Sequence, residues 1–367
     1  MQFDLIVVGG GPAGLATAIA ASLKGLRVRV VDARKPPIDK ACGEGILPHG
    51  VAALRSLGVN LDSTTAIPFS GLRFFDEKSA VAGAFAFGSA FGIRRTAFHS
   101  LLVERAINLG VSFAWGSRAL RFDSRAVHTS NGSFSYRWLI GADGERSGVA
   151  RFAGLAPQGS IRPRFGFRRH YEIAPWNQYV EFHWGHRCQM AVTPTGRREV
   201  CVSFFTSDPA VRLSRAFALF PEVAQRISGA RPLSDEAGAV TMLRRARGVT
   251  RGNVALVGDA SCTVDGIAGM GLSLALQQAI HLADALAHEN LSDYSSAHWR
   301  LVRTPTRITR LLLAMNFSSA LRRKMLRLFA ARPAFFAKII SIHGSESASR
   351  VLGTSELLNL GWRALWA

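Results

Sequence analysis

No window of this 367-residue chain holds eighteen uncharged apolar residues, which excludes a membrane-spanning helix. Cysteine is scarce: Cys42, Cys188, Cys201 and Cys262 form no CxxC pair and no spacing that suits a disulfide framework. A reducing cytoplasm is the setting this implies. Charged residues make up only 19% of the chain against 48% apolar, which excludes a disordered chain and suits a large buried interior. At this length more than one structural unit is expected, with the units free to interleave. The stretch LIVVGGGPAGLATAIAASL has no basic segment before it and carries glycines at meaningful spacings. It is expected to belong to the fold and not to a secretory signal.

What charge there is leans one way. Lys and Arg number 45 against 25 Asp and Glu, giving a formal net charge of +20, and most of the basic residues are arginine. Basic chains often bind nucleic acid. Here the arginines are mostly scattered singly and no RNA- or DNA-binding motif accompanies them, so no nucleic-acid partner is expected. One region resists that reading. Tyr294 to Ser345 holds ten Lys/Arg and no acid, interleaved with ITRLLLAMNF, MLRLFAARPAFF and AKIISI. Helices are expected there, either associating peripherally with an anionic membrane at its cytoplasmic face or capping the fold with a solvated basic face.

The chemistry begins at the amino terminus. FDLIVV (Phe3 to Val8) reads as a buried strand, Gly9, Gly11 and Gly14 form GxGxxG around Pro12 and Ala13, and LATAIAASLKG continues as a helix. RVRVVD is a second strand ending in Asp32, eighteen residues after Gly14, with Ala33 and Arg34 behind it. That is the strand–turn–helix–strand setting of a dinucleotide site. Glycines permit the tight turn and close pyrophosphate approach, the helix N-terminus faces the phosphates, and the acid reaches the ribose hydroxyls. Two further strands end in an acid followed by glycines. RWLIGADGERSGVAR places Asp143 and Gly144 before a helix start marked by Ser147. VALVGDASCTVDGIAGMG places Gly258 and Asp259 before Gly266, Gly269, Met270, Gly271 and Leu272, where another helix opens.

GxGxxG, then ADGxxS, then GDA before a glycine-rich helix start resembles the FAD-dependent aromatic hydroxylases and geranylgeranyl reductases over roughly residues 3 to 290. The fold this implies is α/β. A Rossmann-type FAD-binding domain (1–70, 92–160 and 245–293) is interleaved with an antiparallel substrate-binding sheet (71–91 and 161–244), and basic C-terminal helices (294–367) follow. The resemblance also implies non-covalent FAD, with Asp259 on the ribityl chain and Asp143 and Gly144 near the pyrophosphate. The Gly266–Gly271 loop would lie under the cofactor, with its helix dipole aimed where negative charge collects on reduction. Arg95 is the implied flavin contact, with Arg94 the alternative; two surface arginines is the reading that needs no ligand. Hydroxylases follow GDA with histidine and prolines, whereas this chain has Cys262, Asp265 and Gly266. Like DKACGEG around Cys42, that leans toward the reductase branch, and it makes Cys42 and Asp265 flavin-proximal candidates. Buried cysteine is more often a small hydrophobe. No WxWxIP motif occurs, and Lys78 lies in a polar turn, which argues against halogenation.

Four strand-like runs lie between Phe165 and Phe205, and the segments at 71–87 and 239–247 are expected to join them in a sheet that walls a substrate cavity. Most of the twenty-three phenylalanines are expected in the core, and a minority facing the flavin would make an apolar pocket for an aromatic, polyketide or isoprenoid substrate. The sequence shows no Ser/His/Asp relay, metal-ligand cluster or P-loop, and His49, His170 and His183 read as surface or structural. With no second GxGxxG, NAD(P)H would visit transiently as reductant. The expectation is an NAD(P)H-dependent FAD monooxygenase, with a double-bond reductase and a flavin-binding electron-transfer protein as alternatives.

Overall fold

The computed structural model describes residues 3–157 and 163–341. Its first sheet is centred on Phe3–Val8, with Val28–Asp32 and then Ser112–Trp115 on one side, Gly132–Gly141 and then Val254–Leu256 on the other, all parallel. Thr250–Arg251 closes one edge antiparallel. FDLIVV is apolar without alternation because both its faces are covered. Leu5 and Val7 pack under helices Pro12–Leu23, Arg95–Asn108 and Gly271–Ala287, while Ile6 and Val8 pack on the other side with Val127, Leu139 and Val149.

The four runs expected between 165 and 205 are strands Arg164–Glu172, Tyr179–Trp184, Cys188–Gly196 and Glu199–Thr206 of a second sheet. Gly71–Phe75 and Ala80–Ala84 extend it at one end, and Ala237–Thr241 pairs along Arg164–Glu172 at the other. The expectation of an antiparallel sheet needs one correction: Tyr179–Trp184 pairs with Gly71–Phe75 in parallel. The Arg95–Phe152 part of the first unit lies between these strands in sequence, so no hairpin dictates their direction. Along Glu199–Thr206, Phe204 and Phe205 fall into different hydrophobic clusters on opposite faces, as a period of two requires.

A small antiparallel sheet of Gly45–Ile46, Ala90–Gly92 and Ile67–Phe69 joins the units, so the division drawn at 91/92 falls within a strand. The division at 293/294 falls within helix Leu291–Phe317. That helix is fixed to the first sheet: Tyr294 Oη donates to the Leu256 carbonyl at 2.7 Å and His298 Nε2 lies 3.1 Å from Ser261 Oγ. Helices Ser319–Ala331 and Pro333–Ser341 follow, and Val302, Met315, Leu326 and Phe336 share a core with Phe74 and Phe182 of the second sheet. Among the described residues no helix is long and apolar enough to cross a membrane. The tail beyond Ser341, included in the expected basic helical region, lies outside the described residues.

Candidate cofactor and substrate site

A cavity of about 1190 Å³ opens where the parallel strands end and the second sheet begins. Its nucleotide end is built by the amino-terminal turn. Gly9 has φ +110°, and a Cβ there would lie 2.3 Å from the Ala142 carbonyl oxygen. A Cβ at Gly14 would meet the Gly9 oxygen at 1.8 Å, so Gly14 closes the helix onto the strand and does not itself line the cavity. Gly11 is different: the nearest atom to an added Cβ is Arg95 Nη2 at 3.8 Å, which leaves the backbone open to the cavity. Helix Pro12–Leu23 starts with Pro12 in its first turn and no side-chain cap, so its N-terminal amides remain for an anion. Asp32 accepts from Gly10 N and Arg34 N, both at 2.8 Å, and Ala33 and Arg34 line the wall beside it.

The other two acid-tipped turns converge on the same cavity. Asp143 Oδ2 accepts from Gly148 N at 2.6 Å, and Ser147 caps helix Gly148–Phe152 through Ala150 N. Burial pushes the Asp143 carboxyl up against these hydrogen bonds, and its Oδ1 is buried with no partner. Asp259 sits in the single turn Gly258–Ala260 and pairs with Lys40 at 3.0 Å. The attraction of Asp259 raises the Lys40 pKa. Gly258 (φ +61°) and Gly269 (φ +64°) hold conformations closed to most side chains. Gly266, Gly269, Met270, Gly271 and Leu272 all line the cavity, and helix Gly271–Ala287 begins there without a side-chain cap.

Arg95 and Arg94 separate cleanly. Arg95 is buried on the cavity wall with Nη1 lacking a hydrogen-bond partner, whereas Arg94 pairs with Glu199 at 2.6 Å. Asp265 departs from its expected place. It is buried behind the loop, does not line the cavity, and pairs with Arg164 at 2.5 Å while accepting from Ile267 N. A carboxylate in that apolar interior needs a cation, and Arg164 is the one within reach. Cys42 does line the cavity, as do the apolar side chains Leu47, Phe69, Leu72, Val180, Phe182 and Phe205. Burial raises its thiol pKa, with Arg95 pulling the other way. Cys188 and Cys201 are buried in strands of the second sheet.

One cluster escaped the sequence reading. Glu44 adopts φ +61°, is buried, and accepts from Arg95 N at 2.9 Å and from His170 Nε2 at 2.6 Å. His170 is therefore a buried partner of a carboxylate, and His183 is another, 3.1 Å from Glu181. The available sequence signal was a glutamate between two glycines in CGEG, a place where positive φ is common.

Among the buried polar atoms without a partner, Arg95 Nη1 and Asp143 Oδ1 belong to residues of the cavity wall, which also carries the glycine backbone and the uncapped starts of helices Pro12–Leu23 and Gly271–Ala287. This donor and acceptor set fits a dinucleotide diphosphate and its ribityl and ribose hydroxyls. A glycine-lined parallel sheet facing a cavity walled by a second sheet defines a nucleotide-cofactor protein with an attached substrate chamber. The chain belongs to the family described as FAD binding domain, which matches residues 2–293, and it is an FAD-dependent oxidoreductase of that family. It is 29% identical over 334 residues to a menaquinone reductase of Mycolicibacterium smegmatis, spanning 80% of this chain and 78% of that one. It is 28% identical to digeranylgeranylglycerophospholipid reductase 2 of Methanopyrus kandleri, across 75% and 74% of the two chains. A 3-(3-hydroxy-phenyl)propionate/3-hydroxycinnamic acid hydroxylase of Mycobacterium is 28% identical across 44% of this chain and 31% of its own. The flavoprotein/dehydrogenase of Cytophaga hutchinsonii shares the fold with a TM-score of 0.80, at 18% identity over 98% of this chain and all of its own.

Proposed function

We propose that the protein is an FAD-dependent reductase that saturates a carbon–carbon double bond of a lipophilic, isoprenoid-bearing substrate. The observation that carries this is Cys42, a half-buried thiol in the wall of a cavity that also holds the apolar side chains Leu47, Phe69, Leu72, Phe182 and Phe205, where burial raises its pKa. Saturating an alkene takes one hydride and one proton. The Gly9–Gly14 turn, Asp32, Arg95, Asp143 and Asp259 would hold FAD, which would supply the hydride equivalent, with NAD(P)H as the visiting reductant. Cys42 gives its proton to the second carbon and is left as thiolate, which must be reprotonated from water before the next turnover. Phe69, Leu72, Phe182 and Phe205 seat the isoprenoid and keep water out. Both reductases above align over most of this chain, whereas the hydroxylase aligns over less than half.

Hydroxylation by oxygen is the second reading. The uncapped start of helix Gly271–Ala287 favours it, because its dipole would favour negative charge on a cofactor held there. Turnover of menaquinone and of a geranylgeranyl lipid with NAD(P)H, with and without oxygen, separates the two. The reductase gains two hydrogens per bond without oxygen, and Cys42→Ser keeps its FAD while losing about a hundredfold in rate. A product that gains an oxygen atom, or full reduction by Cys42→Ser, overturns the proposal.

A further inference from the structure

The buried pair Glu44–His170 does not belong to the cofactor cradle, and a core carboxylate paired with imidazole calls for an explanation. Glu44 lies two residues after Cys42, and its backbone N–H donates to Cys42 Sγ at 3.3 Å. Glu44 borders the cavity with its side chain fully buried, the carboxylate held on Oε1 by Arg95 N and on Oε2 by His170 Nε2. The other imidazole nitrogen, Nδ1, lies 2.9 Å from the hydroxyl of Ser234, which is partly exposed. An imidazole with a partner on each nitrogen can take a proton at one and release it at the other. Glu44 reaches this position only in a left-handed backbone conformation that a residue with a side chain rarely adopts. Cys201 Sγ also lies within 4.8 Å of this pair, a grouping that would suit a cation. The Arg168 guanidinium 3.5 Å from His170 Nδ1 disfavours a metal ion there and leaves a proton as the fitting cargo.

We propose that Ser234, His170 and Glu44 form a proton-supply line from the surface to Cys42. The inference rests on the reductase reading for its purpose. After each reduction the Glu44 carboxylate takes a proton from His170 Nε2 and passes it to the Cys42 thiolate, returning to its anionic form. His170 Nδ1 then takes one through the Ser234 hydroxyl from water. No electrons move, and one proton enters per double bond. The charged and titratable groups facing the line are Arg95 and Arg94 from helix Arg95–Asn108 and its entry, Arg168 with its partner Asp39, Lys40, and the Cys201 thiol.

Two measurements on FAD-loaded protein test the line. The first needs no substrate: the pH dependence of iodoacetamide alkylation at Cys42, followed by peptide mass analysis. Glu44→Gln removes a negative charge beside the thiol, so alkylation should set in at lower pH than in the wild type. An unshifted profile in Glu44→Gln protein that still binds FAD overturns the line, whether or not any probe is reduced. The second is multiple turnover on the menaquinone and geranylgeranyl-lipid probes. His170→Ala should lose about tenfold or more in kcat, with KM little changed, and added imidazole should restore it. Ser234→Ala, at the partly exposed end, should show a smaller kcat loss and serves if His170→Ala fails to fold. Full kcat in both variants, or a loss that imidazole leaves untouched, overturns the line. If wild type reduces no probe, a shifted alkylation profile supports the coupling and places the failure on the reductase reading.

Discussion

At the scale of single residues, Asp259 shows how a polar group serves both fold and ligand. Its carboxylate is partly exposed and holds Lys40 at 3.0 Å, so a cofactor hydroxyl can share it without leaving a buried charge alone. Asp259→Ala should weaken FAD binding by roughly tenfold to a hundredfold, the loss of a charge-assisted hydrogen bond of about 1.5–3 kcal/mol. Titration of apoprotein with FAD measures this, and wild-type affinity in the variant would remove Asp259 from the site. Asp265, only six residues on, follows opposite physics. It is buried against Arg164, and burial raises its pKa despite that partner. Its task is to fix the Gly266–Ala268 turn to the second sheet, which no reading of its chemistry in isolation could distinguish from a contact with flavin.

At the scale of elements, helix Leu291–Phe317 is the joint between the units. Burial pulls the His298 pKa down to about 4, and Arg245 pushes the same way. In the unfolded chain a histidine takes its proton near pH 6.5. Between those values the unfolded state binds a proton that the native state refuses, so the His298 contribution is fully present above pH 6.5. It is lost as pH falls toward 4. The difference amounts to about 3 kcal/mol at its greatest. Urea unfolding at pH 7 and pH 4.5 should show this loss in the wild type and a flatter dependence in His298→Gln. Equal slopes in the two proteins would mean that His298 is not the group responsible.

At the scale of the whole molecule, the net charge of +20 is spread unevenly. Arg300, Arg303, Arg307 and Arg310 recur at helical spacing on the exposed side of Leu291–Phe317, with Trp299 and Phe317 exposed at 42% and 50%. The opposite side is packed into the core, and even Arg322 of the next helix is buried, 3.8 Å from Asp76. As far as Ser341 the expected basic region is therefore a structural cap, and its outer face is proposed to dock on an anionic bilayer at the cytoplasmic surface, where an isoprenoid lipid would be met. Each arginine near such a surface contributes up to about 1 kcal/mol, screened over a Debye length of about 10 Å at 0.1 M salt. Co-sedimentation with phosphatidylglycerol vesicles should be strong at low salt and lost at high salt. No binding at low salt would leave the cap as its whole role.

The sequence by itself determined the cofactor fold. Glycines at 9, 11 and 14, an apolar run before them, Asp32 after the next strand, and two further acid-tipped turns are local signals, each readable within about thirty residues. The four strands from Arg164 to Thr206 were legible for the same reason, because alternation and turn residues act between neighbours in the chain. Tertiary structure alone decided which side chains meet. Parallel pairing of Tyr179–Trp184 with Gly71–Phe75, Arg164 against Asp265, Lys40 against Asp259 and Glu44 against His170 all join distant segments. Nothing local encodes such contacts, because each depends on how segments far apart in the chain are brought together in the fold. In Glu44 and His170 the partner that makes the side chain chemically interesting is supplied by the other unit, so the pair exists only in the folded chain.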